Sequence, residues 1–73
     1  METKLDKSLD ERGTIIYCYG HFEQVTYTNV SNNVWLARTR PFSGPIKEMS
    51  TERVFANVER LKEEGFEIKV HRA

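Results

Sequence analysis

Three side chains of this sequence have the chemistry for a metal site or a nucleophile: Cys18, His21 and His71. A structural zinc site needs four ligands, usually as two closely spaced pairs, and this chain offers one loose pair and one distant histidine. Cys18 lies in the apolar run 14–19, where a thiol is usually buried and inert. We therefore predict no metal site, no thiolate nucleophile and no cofactor.

The carboxylates do not form a recognisable catalytic pair either. Acid–base catalysis needs titratable groups held in contrasting environments, whereas the glutamates between residues 48 and 67 alternate with bases, as on the wet faces of a helix and a strand. No glycine-rich elbow or oxyanion-loop motif accompanies Cys18. We predict that the protein is not an enzyme.

The uncharged middle of the chain carries the strongest functional signal. The chain has 11 basic and 11 acidic residues, yet residues 14–46 contain only Glu23, Arg38 and Arg40 among them. Aromatic residues, arginine and uncharged polar residues with few Lys or Glu are typical of protein–protein interfaces. We predict partner binding by the following residues: Tyr17, Tyr19, Tyr27, Trp35, Arg38 and Arg40.

Alternation along the strands indicates which of these residues face outward. In the first strand Tyr17 and Tyr19 share one face, and the smaller Ile16 and Cys18 share the other, which suits contact with a helix. We therefore expect the two tyrosines to be exposed. In the third strand the pair Arg38 and Arg40 favours exposure of their own face, so the face of Trp35 is the better candidate for the core.

The predicted function is that of a non-enzymatic protein-binding module, a small accessory factor or inhibitor of the phage or mobile-element type. Its partner is another protein, with a homodimer as a further expectation. The alternative is a single-stranded nucleic-acid-binding protein using Arg38, Arg40 and the surface tyrosines, because aromatics interleaved with arginine bind single strands. A net charge of zero disfavours a protein that grips duplex phosphates.

The best-defined element is a helix in the last third of the chain. Val54, Phe55, Val58 and Leu61 recur at helical spacing, and Ser50 or Thr51 is a suitable N-cap. Gly65 is expected to take the left-handed position after the helix. Residues 66–71 then alternate apolar and polar, which predicts a half-buried strand.

The middle of the chain predicts three strands. Runs rich in β-branched and aromatic residues cover 14–19, 25–30 and 34–39, with a hairpin turn at 31–33 and a loop at 42–45. The fold class is therefore α+β: a small single domain, a mostly antiparallel sheet and one main helix, in the order β-β-β-α-β. The domain spans residues 14–73, and residues 1–13 form a flexible tail or a short helix.

The expected cellular location depends on two kinds of segment, a membrane span and a secretory signal. The longest run without a charge, 24–37, is interrupted by Thr, Asn and Ser, so no membrane-spanning segment is predicted. Residues 1–6 mix both charges and lack an apolar stretch, so we expect no secretory signal. With one free cysteine, the expected compartment is the cytoplasm.

Overall fold

The computed structural model describes residues 5–41 and 45–73. They form one five-stranded antiparallel sheet and one α-helix, which confirms the predicted α+β class. In chain order the elements are β1 (Ile15–Tyr19), β2 (Gln24–Ser31), β3 (Val34–Arg40), β4 (Lys47–Met49), α1 (Thr51–Glu63) and β5 (Glu67–His71). The strand β4 was not predicted, and most of the predicted loop, residues 42–44, lies outside the described residues.

The sheet order explains why the helix covers one face. The strands lie side by side as β4-β3-β2-β1-β5, so β4 and β5, which α1 connects, are at opposite edges. The helix must therefore cross the sheet, and it contacts β1, β3 and β5. One helix can cover only one side of a sheet, so the other side is left open.

Side chains beneath α1 form the core. Val54, Val58 and Leu61 of the helix are buried against Ile16 and Cys18 of β1, as the spacing of these residues predicts. Trp35 of β3 joins them. Complete burial of apolar side chains such as these contributes about 1.5–3 kcal/mol each, so this single layer supplies most of the driving force for folding.

Both ends of α1 are capped as the sequence predicts. The Ser50 hydroxyl accepts a hydrogen bond from the Arg53 N–H at 3.3 Å. At the other end Phe66 N–H donates to Leu61 C=O and Gly65 N–H to Lys62 C=O, the paired bonds of a Schellman motif. Gly65 has a φ of +99°, so the strand β5 begins immediately after a tight left-handed turn.

The N-terminal segment is docked rather than frayed over its described part. Residues 1–4 lie outside the described residues, but Lys7–Leu9 form a 3₁₀-helix whose N-cap is Asp6. Leu9 is fully buried, which holds this turn against the domain. Part of the segment predicted as a flexible tail or a short helix therefore forms one 3₁₀ turn.

A chain of polar contacts joins this segment to the hairpin and the helix. Asp10 Oδ1 accepts hydrogen bonds from Asn29 Nδ2 at 2.9 Å and from Asn33 N–H at 2.8 Å. Asn33 Oδ1 accepts from Thr51 N–H at 3.0 Å, and Thr51 Oγ1 accepts from Trp35 Nε1 at 2.8 Å. Asn33 has a φ of 61°, the positive value expected in the predicted hairpin turn.

These contacts set the charge state of Asp10. Desolvation by burial raises the pKa of its carboxyl, but hydrogen bonds from Asn33, Thr51 and Asn29 favour the carboxylate and together hold the pKa below its usual value. Because the folded pKa is lowered, the carboxylate stabilises the fold above the unfolded pKa of about 4, and this contribution is lost as the pH falls through the folded pKa.

Replacing Asp10 by Ala should lower the free energy of unfolding at neutral pH by about 1–3 kcal/mol, because hydrogen bonds to a charged acceptor are lost. The difference from the wild type should shrink as the pH falls below about 4. Urea unfolding at a series of pH values measures both effects. A difference that is the same at every pH would show that the charge of Asp10 does not contribute.

Replacing Gly65 by Val should lower the free energy of unfolding by about 1–2 kcal/mol, because a β-branched residue disfavours the left-handed region. No atom lies within 4 Å of a Cβ built at this position, so backbone strain alone causes the loss. Gly65→Asn is the matched control and should cost less, since Asn tolerates positive φ. An unchanged melting temperature in Gly65→Val would contradict the cap.

Candidate binding face of the sheet

The side of the sheet opposite α1 is the candidate functional surface, and we call it the open face. Strand register arranges its side chains in three rows across the sheet. The central row consists of Arg38, Thr26, Tyr17 and Lys69. The second row consists of Arg40, Gln24, Tyr19 and Glu67. The third row consists of Glu48, Leu36, Thr28, Ile15 and His71.

Four of the six predicted partner-binding residues lie on the open face. Tyr17 and Tyr19 project from β1, and Arg38 and Arg40 project from β3. The strand β2 lies between β1 and β3, so the polar side chains of β2 separate the tyrosine pair from the arginine pair. A shallow groove is lined by Tyr17 together with both arginines, so the structure brings the two pairs together as one surface.

The other two predicted residues are in the core, and their assignment to a binding surface is corrected here. Trp35 is 0% exposed and Tyr27 is 3% exposed. Trp35 packs edge-on against Phe55 of α1, with ring centroids 6.3 Å apart. Burial raises the pKa of the Tyr27 hydroxyl. Neither ring can contact a partner while the helix covers this side of the sheet.

The sequence contains the signal that separates Tyr27 from the other tyrosines. Within β2 the polar residues Gln24, Thr26 and Thr28 alternate with Val25 and Tyr27. A period of two places the threonines on one face and Tyr27 on the other. The prediction rested on the aromatic content of residues 14–46 as a whole, and therefore included Tyr27.

Tyr17 and Tyr19 form an ordered pair on the open face, where Tyr17 is half-buried and Tyr19 is exposed. Their rings are 6.0 Å apart and nearly parallel, at 10°, and Tyr19 is 37% exposed. The ammonium group of Lys69 lies 5.9 Å from the centroid of the Tyr19 ring, within the range of a cation–π contact. Lys69 was not predicted, because the sequence does not reveal that β5 pairs with β1.

The open face is more cationic and less aromatic than predicted. Arg38, Arg40 and Lys69 all lie in the two rows that pass through the tyrosines, and Glu67 is the one carboxylate in those rows. Among residues 5–41 and 45–73, neither guanidinium has a hydrogen bond or an ion pair. Both arginines are exposed, so their donors are available to a partner.

Apolar side chains lie beside the central row of this surface, mainly in the third row. Ile15 and Leu36 are half-buried on the open face. They lie on the two sides of Thr28, which pairs with both. Ile46, just before β4, is 47% exposed and lines the groove beside the arginines. Apolar area next to tyrosine and arginine side chains is typical of a protein-binding patch.

The groups first considered for chemistry are held apart. Cys18 is buried beneath the helix, and burial raises the pKa of its thiol to about 12, so it is not a nucleophile near neutral pH. His71 lies on the opposite side of the sheet, opposite Ile15, and His21 is exposed in the loop between β1 and β2. No cluster of three His, Cys, Asp or Glu residues suited to a metal occurs in the described residues.

Comparison of the chain with protein-family models, with curated proteins and with solved structures finds no match. No helix within the described ranges is long and apolar enough to cross a membrane. The function must therefore be inferred from the residues and geometry of this chain.

Replacing Tyr17 by Ala should leave the fold intact and lower the free energy of unfolding by at most about 1 kcal/mol, as expected for a surface position. Replacing Tyr27 by Ala should cost about 3–5 kcal/mol, as for other large buried rings. Thermal unfolding followed by circular dichroism compares the two variants. Equal losses, or a larger loss for Tyr17→Ala, would contradict the assignment of the open face.

Proposed function

We propose that this protein is a non-enzymatic binding module that docks an acidic segment of another protein on the open face. The observation that carries the proposal is the set of three cations, Arg38, Arg40 and Lys69, beside the pair Tyr17 and Tyr19 on a sheet surface that no described element covers. The chain as a whole has no net charge. A local excess of cations therefore selects for acidic partners.

Residue type supports a protein partner in particular. Tyrosine and arginine are the residues most enriched among those that dominate binding energy, and both arginines have donors free for bidentate contact with a carboxylate. The half-buried Ile15 and Leu36 supply apolar area that a peptide side chain can cover. A partner that is acidic and also carries one or two apolar residues satisfies all of these groups.

Ring orientation favours a protein over a single-stranded nucleic acid. Base stacking needs an open aromatic ring face, but the Tyr17 and Tyr19 rings lie nearly parallel beside each other, and Lys69 lies over the Tyr19 ring. Trp35 and Tyr27, which would have been the further stacking platforms, are in the core. The proposed role is that of a small accessory factor or inhibitor in the cytoplasm, where a single free cysteine remains reduced.

The test uses random dodecapeptides displayed on phage, selected against the immobilised protein. Selected peptides should be acidic with an interspersed apolar residue. Their binding should shift the amide resonances of Thr26, Tyr17 and Arg38 in nuclear magnetic resonance spectra. The double variant Arg38→Glu, Arg40→Glu should weaken binding at least tenfold, about 1.4 kcal/mol.

The matched control carries the same charge change on the other side of the sheet, at the exposed helix residues Arg53 and Arg60. Arg53→Glu, Arg60→Glu should bind the peptides nearly as the wild type does. Equal weakening by both double variants would show a general charge effect and contradict the proposal. Tighter binding of a fluorescent oligothymidine through the same arginines would replace the protein partner by a single-stranded nucleic acid.

A further inference from the structure

The two edges of the sheet differ in how they are protected. The edge strand β4 has only three residues, which limits what can pair with it. The other edge, β5, pairs with β1 over all five of its residues without a register shift. It contains no proline or bulge, two of the devices that prevent a further strand from adding, and its charged residues are Glu67 and Lys69, which have opposite charges.

Alternation of hydrogen bonds shows which peptide groups this edge offers. Asn29 N–H donates to Thr14 C=O, and Gly20 N–H donates to Glu23 C=O, so the even-numbered residues of β1 direct their peptide groups toward β2. The odd-numbered residues then bond to β5. On β5 the peptide groups of Ile68 and Val70 therefore point away from the sheet, toward the free edge.

From these features we propose that β5 pairs with β5 of a second copy of this chain, in antiparallel orientation about a two-fold axis, with Glu67 of each copy opposite Lys69 of the other. The result is a continuous ten-stranded sheet. The edge contributes Glu67 and Lys69 to the open face, but the pairing of the two strands does not depend on the proposed function.

Several registers would satisfy the alternation of peptide groups, and charge favours the one centred on Ile68 over its neighbours. With Ile68 opposite its own symmetry mate, two Glu67–Lys69 pairs form across the junction. A shift by one residue in each strand would instead place Lys69 opposite Lys69, and directly opposed like charges destabilise a sheet. Both side chains are exposed on the open face, where a second strand can bring their opposite charges together.

The same register provides partners for the outward N–H groups of Ile68 and Val70 and for Ile68 C=O. Ile68 of each copy exchanges N–H and C=O bonds with its symmetry mate, and Val70 N–H of each donates to Phe66 C=O of the other. Phe66 N–H needs no partner there, because it already donates to Leu61 C=O at the end of α1. The half-buried Ile68 and Val70 side chains, on the helix side of the edge, become covered.

The symmetry has a consequence for the open face. A two-fold axis perpendicular to the sheet keeps both helices on one side, so the open faces of the two copies lie next to each other on the other side. One five-residue strand buries less area than a standard stable interface of roughly 1,600 Å². The dimer should therefore form in the micromolar range and depend on concentration.

The test exchanges the two charges and follows mass by sedimentation equilibrium from low to high micromolar concentration. Glu67→Lys and Lys69→Glu should each raise the dissociation constant of the dimer roughly tenfold, since both cross-strand pairs become like-charged. An equimolar mixture of the two variants should restore association as a heterodimer, and the double variant should restore the homodimer. Glu59→Lys, an exposed charge change on α1, is the control and should associate as the wild type does.

Cysteine cross-linking tests the register without depending on the charge exchange. In the proposed register, residue 67 of one copy and residue 69 of the other are directly opposite, at a Cα separation of about 4.5 Å that a disulfide can span. A mixture of Glu67→Cys and Lys69→Cys chains should cross-link on oxidation, while Lys69→Cys alone should not. A wild type that stays monomeric throughout, or a dimer unaffected by the charge exchange, overturns the proposal. Efficient cross-linking of Lys69→Cys alone also overturns it.

Discussion

The orientation of Trp35 determines the rest of the structure. This ring is completely buried, and its Nε1–H donates to Thr51 Oγ1 at the start of α1, so the helix and β3 are fixed to each other through one side chain. Because successive side chains of a strand alternate, the inward position of Trp35 forces Arg38 and Arg40 outward. The cationic part of the open face is thus a direct consequence of where one aromatic residue is buried.

The path of α1 across the sheet also determines which face is open. Since β4 and β5 lie at opposite edges, the α-helix that connects them covers one face, and the polar contacts from Asp10 to Thr51 hold the hairpin to the start of that helix. Within residues 5–41 and 45–73, no second layer covers the other face. The open face and the outer edge of β5 are therefore the uncovered parts of the described sheet.

Local patterns predicted the elements well, and long-range pairing is where sequence reasoning failed. The caps at Ser50 and Gly65 are decided within a few residues of the chain, so both were predictable. The strand β4 has the sequence Lys-Glu-Met, without β-branched or aromatic residues, and it exists because β3 lies beside it. Lys69 joins the open face only through the pairing of β5 with β1, and Tyr27 was misassigned because its alternation was not used.

The account depends on the burial of Trp35, and this residue is the only tryptophan of the chain. Acrylamide quenching of its fluorescence therefore reports on one site, in the native protein and again in urea. We predict weak quenching and short-wavelength emission in the native state, with both changing toward those of a water-exposed indole on unfolding. Native quenching as strong as that in urea would place Trp35 in solvent and the arginines beneath the helix, which would contradict the open face.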